Sequence, residues 1–175
     1  MVIKENVGLN NGIKLTIALL ILGVGLYFTN KELFMDPMLR VVVSLILPIF
    51  FMSRAALEQR KKLGGYLSFS EALQPTYLTL IIAASVFAIF YYFLLHSDYE
   101  LLEIQRDIAV NSINMLEEFG AIPEENLADI KESKPEDFKP DIRALFFGIA
   151  KNFIFGFVIA AIIAAIVRRE KPISE

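Results

Sequence analysis

The residues that could catalyse a reaction or bind a metal are few, and their spacing favours neither role. The chain has no cysteine and one histidine, His96. It can therefore form no disulfide, thiolate nucleophile, iron–sulfur cluster or cysteine-based zinc site, and one histidine cannot make a multi-histidine metal site alone. His96 follows a run of aromatic residues, so we interpret it as part of an interfacial belt rather than as a ligand or pH sensor. We predict no metal site and no cofactor.

The acidic residues are no better placed for hydrolysis. Glu117–Glu118 and Glu124–Glu125 are adjacent in sequence, and adjacent residues on a helix do not face one another. The chain also lacks the motifs of phosphate-binding loops, dinucleotide sites, zinc proteases, calcium loops and serine hydrolases. Basic residues are not interleaved with aromatic ones on a soluble face, so we expect no nucleic-acid binding. We predict that the chain is not an enzyme, and its sequence identifies no small-molecule substrate.

Long apolar segments dominate the chain, and any site must be built on them. From Thr76 to Leu95, 20 residues carry no charge, which corresponds to about 30 Å of helix and matches the hydrocarbon thickness of a bilayer. Three similar segments help to raise the apolar share to 55%. We therefore predict one all-α membrane domain over residues 1–175, with four spans at about residues 9–28, 38–57, 72–95 and 145–167.

A basic loop separates the second and third spans. Its four cations are opposed by Glu58 alone, and they are Arg54, Arg60, Lys61 and Lys62. Short loops rich in lysine and arginine stay in the cytoplasm, so topology alone can explain this cluster. The alternative is that the same four residues bind anionic lipid headgroups.

The third span begins at a helix-capping sequence. Residues 68–71, with the sequence SFSE, have the spacing of a capping box in which Glu71 bonds back to the backbone of Ser68. The positive end of the helix dipole also favours the charge of Glu71. Under the alternative interpretation, Glu71, Gln74 and Thr79 form the mouth of a polar path into the membrane.

The one sizeable segment outside the spans, residues 98–141, is strongly acidic. It holds 13 Asp and Glu residues against four Lys and Arg residues, a balance of −9. Apolar residues at helical spacing predict an amphipathic helix from Tyr99 to Phe119, which could continue directly from the third span and would end at Gly120. With a short helix expected at about 123–132, the segment forms an extracytoplasmic insertion that resembles a helical hairpin.

The fourth span carries a stripe of small or polar residues at every fourth position: Gly148, Asn152, Gly156, Ala160 and Ala164. Such a stripe lets membrane helices approach closely, either within the chain or between subunits, and both remain open. Lys151 lies beside it. If the hydrocarbon begins near Gly148, Lys151 can snorkel to the surface, and we favour this register. If it begins near Leu145, Lys151 lies two turns deep and needs a partner.

The distribution of basic residues predicts the orientation. Lysine and arginine are concentrated at both chain ends and in residues 54–67, whereas residues 98–141 are acidic. The positive-inside rule then places both termini in the cytoplasm and residues 98–141 in the periplasm of a bacterial inner membrane. We interpret residues 1–12 as a polar tail. A cleavable signal peptide is the competing interpretation of the first span, but no small-residue cleavage signature follows it.

Three short motifs accompany this layout. They are LSFSEAL at the start of the third span, YYFLL with its acidic helical continuation, and the closing IVRRE. Together with the order of the spans, they resemble a family of bacterial four-helix inner-membrane proteins known only as a domain of unknown function. The resemblance implies a four-span fold in a bacterial inner membrane, and it implies no activity and no catalytic residue.

Two functions are compatible with these observations. The first is a structural or accessory membrane protein that packs against other membrane subunits, or against itself, through the stripe and presents the acidic segment to a partner. The second is a small transporter or channel component, with kinks at Pro48 and Pro75 and a polar lining of Lys151, Asn152, Glu71 and Gln74. The apolar centres of the spans and the lack of an internal repeat favour the first.

Overall fold

The computed structural model describes residues 6–118 and 131–170, most of which are helical. The elements are α1 (Val7–Thr29), α2 (Lys31–Met35), α3 (Pro37–Lys62), α4 (Phe69–Ser97), α5 (Tyr99–Glu118), a 3₁₀ helix (Pro135–Phe138) and α6 (Ile142–Val167). Four of them, α1, α3, α4 and α6, are long and apolar enough to cross a membrane. The predicted all-helical fold is confirmed, and the four candidate membrane-spanning helices lie where the four spans are predicted, which suggests a multi-pass membrane protein.

Side-chain caps fix where the helices begin. The predicted capping box forms at α4, where Ser68 Oγ accepts from the Glu71 N–H at 3.4 Å and Glu71 Oε2 accepts from the Ser68 N–H at 2.8 Å. At α3, Asp36 accepts from a backbone N–H of the first turn at 2.7 Å. Pro37 occupies the first position of α3, where its missing N–H breaks no helical hydrogen bond. The remaining two of the four long apolar helices, α1 and α6, are capped by Asn6 and Asp141.

Helix α4 is at the centre of the bundle. It contacts α1, α3 and α6, whereas α1 and α6 do not touch each other within residues 6–118 and 131–170. α1 runs parallel to α4, since Gly8 lies against Pro75 and Gly23 lies against Phe87. α3 and α6 run in the opposite direction, which gives an up-down-up-down bundle.

Glycine lets α1 approach α4 closely. A Cβ atom at Gly8 would lie 2.9 Å from Pro75 Cα, and one at Gly12 would lie 3.2 Å from Thr79 O. Either side chain would force the two backbones apart. This packing corrects the interpretation of residues 1–12 as a tail, because α1 begins at Val7 and its first turns are buried in the bundle.

The bundle has a basic end and an acidic end. The basic end contains the start of α1, the loop between α3 and α4, and the end of α6, so both ends of the described chain lie there. Gly64 and Gly65 have φ of 75° and 95°, which lets the loop turn tightly. Leu67 and Arg169 exchange two backbone hydrogen bonds of 2.8 Å, and these tie the loop to the end of α6.

The acidic end contains α2, α5 and the 3₁₀ helix. α5 does not continue α4, because Asp98 between them is extended, with φ of −128° and ψ of 107°. α5 instead packs against α2 and the end of α4 around a core of Phe34, Met35, Leu95, Leu101 and Leu102. The predicted helix end at Gly120 and residues 123–130 of the second predicted helix lie outside the described residues.

Candidate functional site

Part of the small-residue stripe on α6 packs within the chain. Gly156 is buried against α4, where a Cβ atom would overlap the side chain of Leu80. Ala160 and Ala164 are completely buried in apolar clusters with α3, α4 and the loop between them. These three positions therefore hold the bundle together and are not available to another subunit.

The rest of the stripe faces outward. Gly148 is half-buried, and a Cβ atom there would meet no atom within 4 Å. Asn152 and the neighbouring Lys151 are exposed, and Lys151 has no hydrogen bond or ion pair with any described residue. Gly148, Lys151 and Asn152 thus form one open surface, which we call the α6 polar face.

The polar residues considered as a membrane path do not meet. Glu71 is engaged in the capping box, and Ser68 Oγ also donates to it at 2.7 Å. Gln74 is exposed less than one turn further along α4. Lys151 precedes Gly156 by five residues, about 7.5 Å of helix, which places it level with Ser85 of α4. Because 14 residues separate Glu71 from Ser85, Glu71 and Lys151 are about 20 Å apart along the bundle.

The cations considered for lipid binding have different surroundings. Arg54 Nε pairs with Glu58 Oε1 at 2.8 Å. Arg60 Nη1 lies 3.5 Å from the carbonyl oxygen of Val167 at the end of α6. The bridge between the loop and α6 brings further cations alongside, giving a basic patch of Arg60, Lys61, Lys62, Arg168 and Arg169. The sequence placed these two groups on the same side of the membrane but could not show that they form one surface.

A buried polar contact joins α1 to α3 near the basic end. Asn11 is completely buried, and its Nδ2 donates to Glu58 Oε2 at 2.7 Å and to Val7 O at 3.0 Å. Its Oδ1 has no hydrogen-bond partner among the described residues. Sequence reasoning missed Asn11 because a polar residue so near the chain start has the composition of a tail. The spacing of Gly8 and Gly12 around it was the available signal, since small residues four apart mark a packed helix face.

A lysine ties the acidic end together. Lys31 Nζ of α2 lies 2.6 Å from carboxylate oxygens of both Asp98 and Glu100. Tyr27 OH donates to Asp98 at 2.8 Å. Burial raises the pKa of the Asp98 carboxyl, but the hydrogen bonds from Lys31 and Tyr27 bring that pKa below its ordinary value. The hydrogen bonds to Asp98 and then to Glu100 raise the pKa of Lys31. We call this cluster the Lys31 lock.

Most carboxylates of this end are exposed, including Glu100 of the Lys31 lock. Tyr99 OH donates to Glu136 at 3.1 Å, and Arg106 Nε donates to Ser133 O at 2.8 Å, which fixes α5 to the segment before α6. The described residues contain no cluster of three metal-ligating side chains. The exposed carboxylates of the described residues within 98–141, which we call the acidic surface, are those of Glu100, Glu103, Asp107, Glu132, Glu136, Asp137 and Asp141.

The profile of the DUF4199 family, described as a protein of unknown function, matches residues 10–169. The chain belongs to this family. The DUF4199 match covers nearly all of the four candidate membrane-spanning helices and reaches both ends of the bundle, in agreement with the predicted resemblance to a family of unknown function. No curated protein and no solved structure matches the chain.

Proposed function

We propose that this DUF4199 protein is an integral membrane accessory protein that packs against other membrane subunits, or against itself, and presents its acidic surface to a partner. The observation that carries the proposal is that the Lys31 lock holds the acidic end in a fixed shape while seven carboxylates remain exposed. A fixed array of like charges favours a cationic partner through electrostatic complementarity. The α6 polar face offers a second contact, within the membrane.

The test uses the carboxylates that have no structural role. Glu103 and Glu132 are exposed and make no side-chain hydrogen bond with any described residue. The double variant Glu103→Gln/Glu132→Gln should weaken binding of the protein that co-purifies in mild detergent, and added salt should have the same effect. The control Lys134→Gln/Lys139→Gln removes two positive charges at the same end, and it should not weaken binding of the partner. Equal retention of the partner by both variants would contradict this role of the acidic surface.

We further propose a bacterial inner membrane, with both termini in the cytoplasm and residues 98–141 in the periplasm. The positive-inside rule supports this orientation, because the basic patch and both described chain ends lie at one end of the bundle. The chain has no native cysteine, so single cysteines report the topology directly. An impermeant maleimide should label Glu132→Cys from the periplasm and Lys61→Cys only after the inner membrane is opened. The reverse pattern would invert the orientation.

The alternative function, a small transporter or channel component, requires Lys151, Asn152 and Glu71 to line one path. The distance of about 20 Å between the levels of Glu71 and Lys151, and the outward position of the α6 polar face, weigh against it. Proteoliposomes under ion and proton gradients distinguish the two functions. Flux no greater than in empty vesicles is expected, and flux that Lys151→Leu abolishes would favour transport.

A further inference from the structure

Lys151 lies level with the central part of the charge-free stretch of α4. The contact of Gly156 with Leu80 fixes how α6 lies along α4, and it places Lys151 level with Ser85. Ser85 lies nine residues from Thr76 and ten from Leu95, the limits of the charge-free stretch of α4. Lys151 is therefore about 14 Å from either end of this charge-free stretch. This register favours the alternative in which Lys151 needs a partner over the snorkelling that the sequence favoured.

No described residue of the chain provides Lys151 with a polar partner. Lys151 is exposed on α6. An ammonium group in hydrocarbon is costly unless it is paired or hydrated, and ionisable residues at this depth usually mark functional contacts. The amide of Asn152, also exposed, is a group that commonly forms hydrogen bonds between membrane helices. Gly148 leaves room for another backbone to approach.

From these three residues we infer that the α6 polar face binds a membrane-spanning helix of another protein, and that this helix carries an aspartate or glutamate near its centre. The carboxylate pairs with Lys151, and Asn152 hydrogen-bonds beside it. The inference rests on the proposed accessory role and specifies the chemistry of the partner.

A second copy of this chain cannot provide the carboxylate. The helices α1, α3, α4 and α6 contain two acidic residues, Glu58 and Glu71, and both lie at the basic end. In a parallel or an inverted copy, these carboxylates would lie near a membrane surface and not at the level of Lys151. Anionic lipid headgroups also lie at the surface. Charge complementarity therefore points to a different membrane protein.

Synthetic helices test this chemistry directly. Twenty-residue leucine–alanine peptides with Asp, Asn or Leu at the centre would be mixed with the labelled full-length protein in phosphatidylcholine vesicles, and energy transfer would report association. The Asp peptide should bind about five- to thirtyfold more strongly than the Leu peptide, the range measured for polar pairs between model membrane helices. Lys151→Leu should remove the difference, and Lys151→Asp should prefer a peptide with a central lysine. Equal binding of the Asp and Leu peptides by the native chain would overturn the inference.

A matched variant separates the face from the charge. Ile21 is 69% exposed on α1 and lies close to the same level, two residues before Gly23, which contacts Phe87. Lys151→Ile/Ile21→Lys thus moves the cation to another helix at similar depth without changing the composition. This variant should lose the preference for the Asp peptide. If it keeps the preference, any exposed lysine suffices and the α6 polar face has no special role.

Variants of Gly148 distinguish the inferred carboxylate partner from the proposed accessory role. Gly148→Leu should weaken binding of the Asp peptide by blocking close approach, and Gly148→Ala should weaken it less. If the native chain binds all three peptides equally and Gly148→Leu abolishes this binding, the result would support helix packing on the α6 polar face. It would also overturn the inference that the partner helix carries a carboxylate. Binding unaffected by either Gly148 variant would overturn the face as the contact. Helical content and elution as one species confirm that each variant is folded.

Discussion

Asn11 of α1 donates a 2.7 Å hydrogen bond to Glu58 of α3, 47 residues further along the chain. The other oxygen of the same carboxylate accepts from Arg54 at 2.8 Å. Glu58 is therefore shared between a buried amide on one helix and a cation one turn away on its own helix. The contact fixes α1 against α3 at the end of the bundle where the chain starts.

Replacing Asn11 with Ala should lower the free energy of unfolding by about 1–3 kcal/mol, because Glu58 loses a donor and the buried site loses volume. Thermal denaturation in detergent, followed by the helical circular dichroism signal, measures the change. Asn10→Ala is the control, since Asn10 is half-buried and makes no side-chain hydrogen bond with the described residues. Equal losses in the two variants would show that the contact with Glu58 contributes nothing.

The two glycines of α6 should respond differently to the same substitution. Gly156→Leu places a side chain where even a Cβ atom overlaps Leu80, so it should destabilise the bundle by about 1–3 kcal/mol or more. Gly148→Leu meets no atom of the chain within 4 Å of the new Cβ and should change stability little. The yield of folded, single-species protein and its melting temperature measure both effects. A stable Gly156→Leu protein would contradict the packing of α6 on α4.

Local sequence patterns were sufficient to predict the four long apolar helices and the starts of α3 and α4. The Asp36–Pro37 start and the capping box of Ser68 and Glu71 depend on residues within one turn of each other, so their spacing is visible in the sequence. The break at Asp98 was not predicted. The residues on either side of it suit a helix, and the bend is stabilised by burial of α5 against α2 and by the Lys31 lock.

The long-range relationships could not be read from the sequence. The depth of Lys151 depends on the contact of Gly156 with Leu80, and the basic patch depends on the pairing of Leu67 with Arg169. Each joins residues far apart in the chain. Hydropathy gives the length of a span but not its level relative to its neighbours, so the sequence left two registers for Lys151 open.

The Lys31 lock should make the acidic end sensitive to low pH. The pKa of Asp98 is lowered in the folded protein, so its stabilising contribution is present at neutral pH and is lost as the pH falls below the ordinary aspartate value of about 3.9. The pKa of Lys31 is raised, so its contribution is lost only as the pH rises above the ordinary lysine value of about 10.4. Amide protection in α2 and α5, measured by hydrogen exchange relative to the intrinsic exchange rate at each pH, should be highest between these limits and lower outside them.

Asp98→Asn tests this assignment. It should destabilise the acidic end by about 1–3 kcal/mol at neutral pH, because the charged acceptor of hydrogen bonds from Lys31, Tyr27 and the Glu100 N–H is lost. It should also remove most of the acid-induced loss of amide protection in α2 and α5. Glu103→Gln, which removes an exposed carboxylate of the same segment, should leave both properties unchanged. An acid response that is the same in Asp98→Asn and the native chain would assign the sensitivity to other carboxylates.

The basic patch should retain anionic lipid. Lys61 and Arg168 are exposed, and their side chains make no hydrogen bond with the described residues, so Lys61→Gln/Arg168→Gln removes two charges without removing a structural contact. Each basic residue near the surface of an anionic membrane contributes about 1 kcal/mol of attraction. Native mass spectrometry of protein equilibrated with equal amounts of phosphatidylglycerol and phosphatidylcholine should show preferential retention of phosphatidylglycerol, reduced by about 1 kcal/mol per charge removed.

The acidic end provides the matched control for this lipid preference. Lys134→Gln/Lys139→Gln also removes two exposed cations, but these lie in the acidic segment, close in sequence to Glu132, Glu136, Asp137 and Asp141. Because the local field there repels anions, this variant should retain phosphatidylglycerol as the native chain does. If the two double variants lost the same amount of lipid, net charge rather than the basic patch would set the preference. In that case the cluster at the basic end would be explained by topology alone.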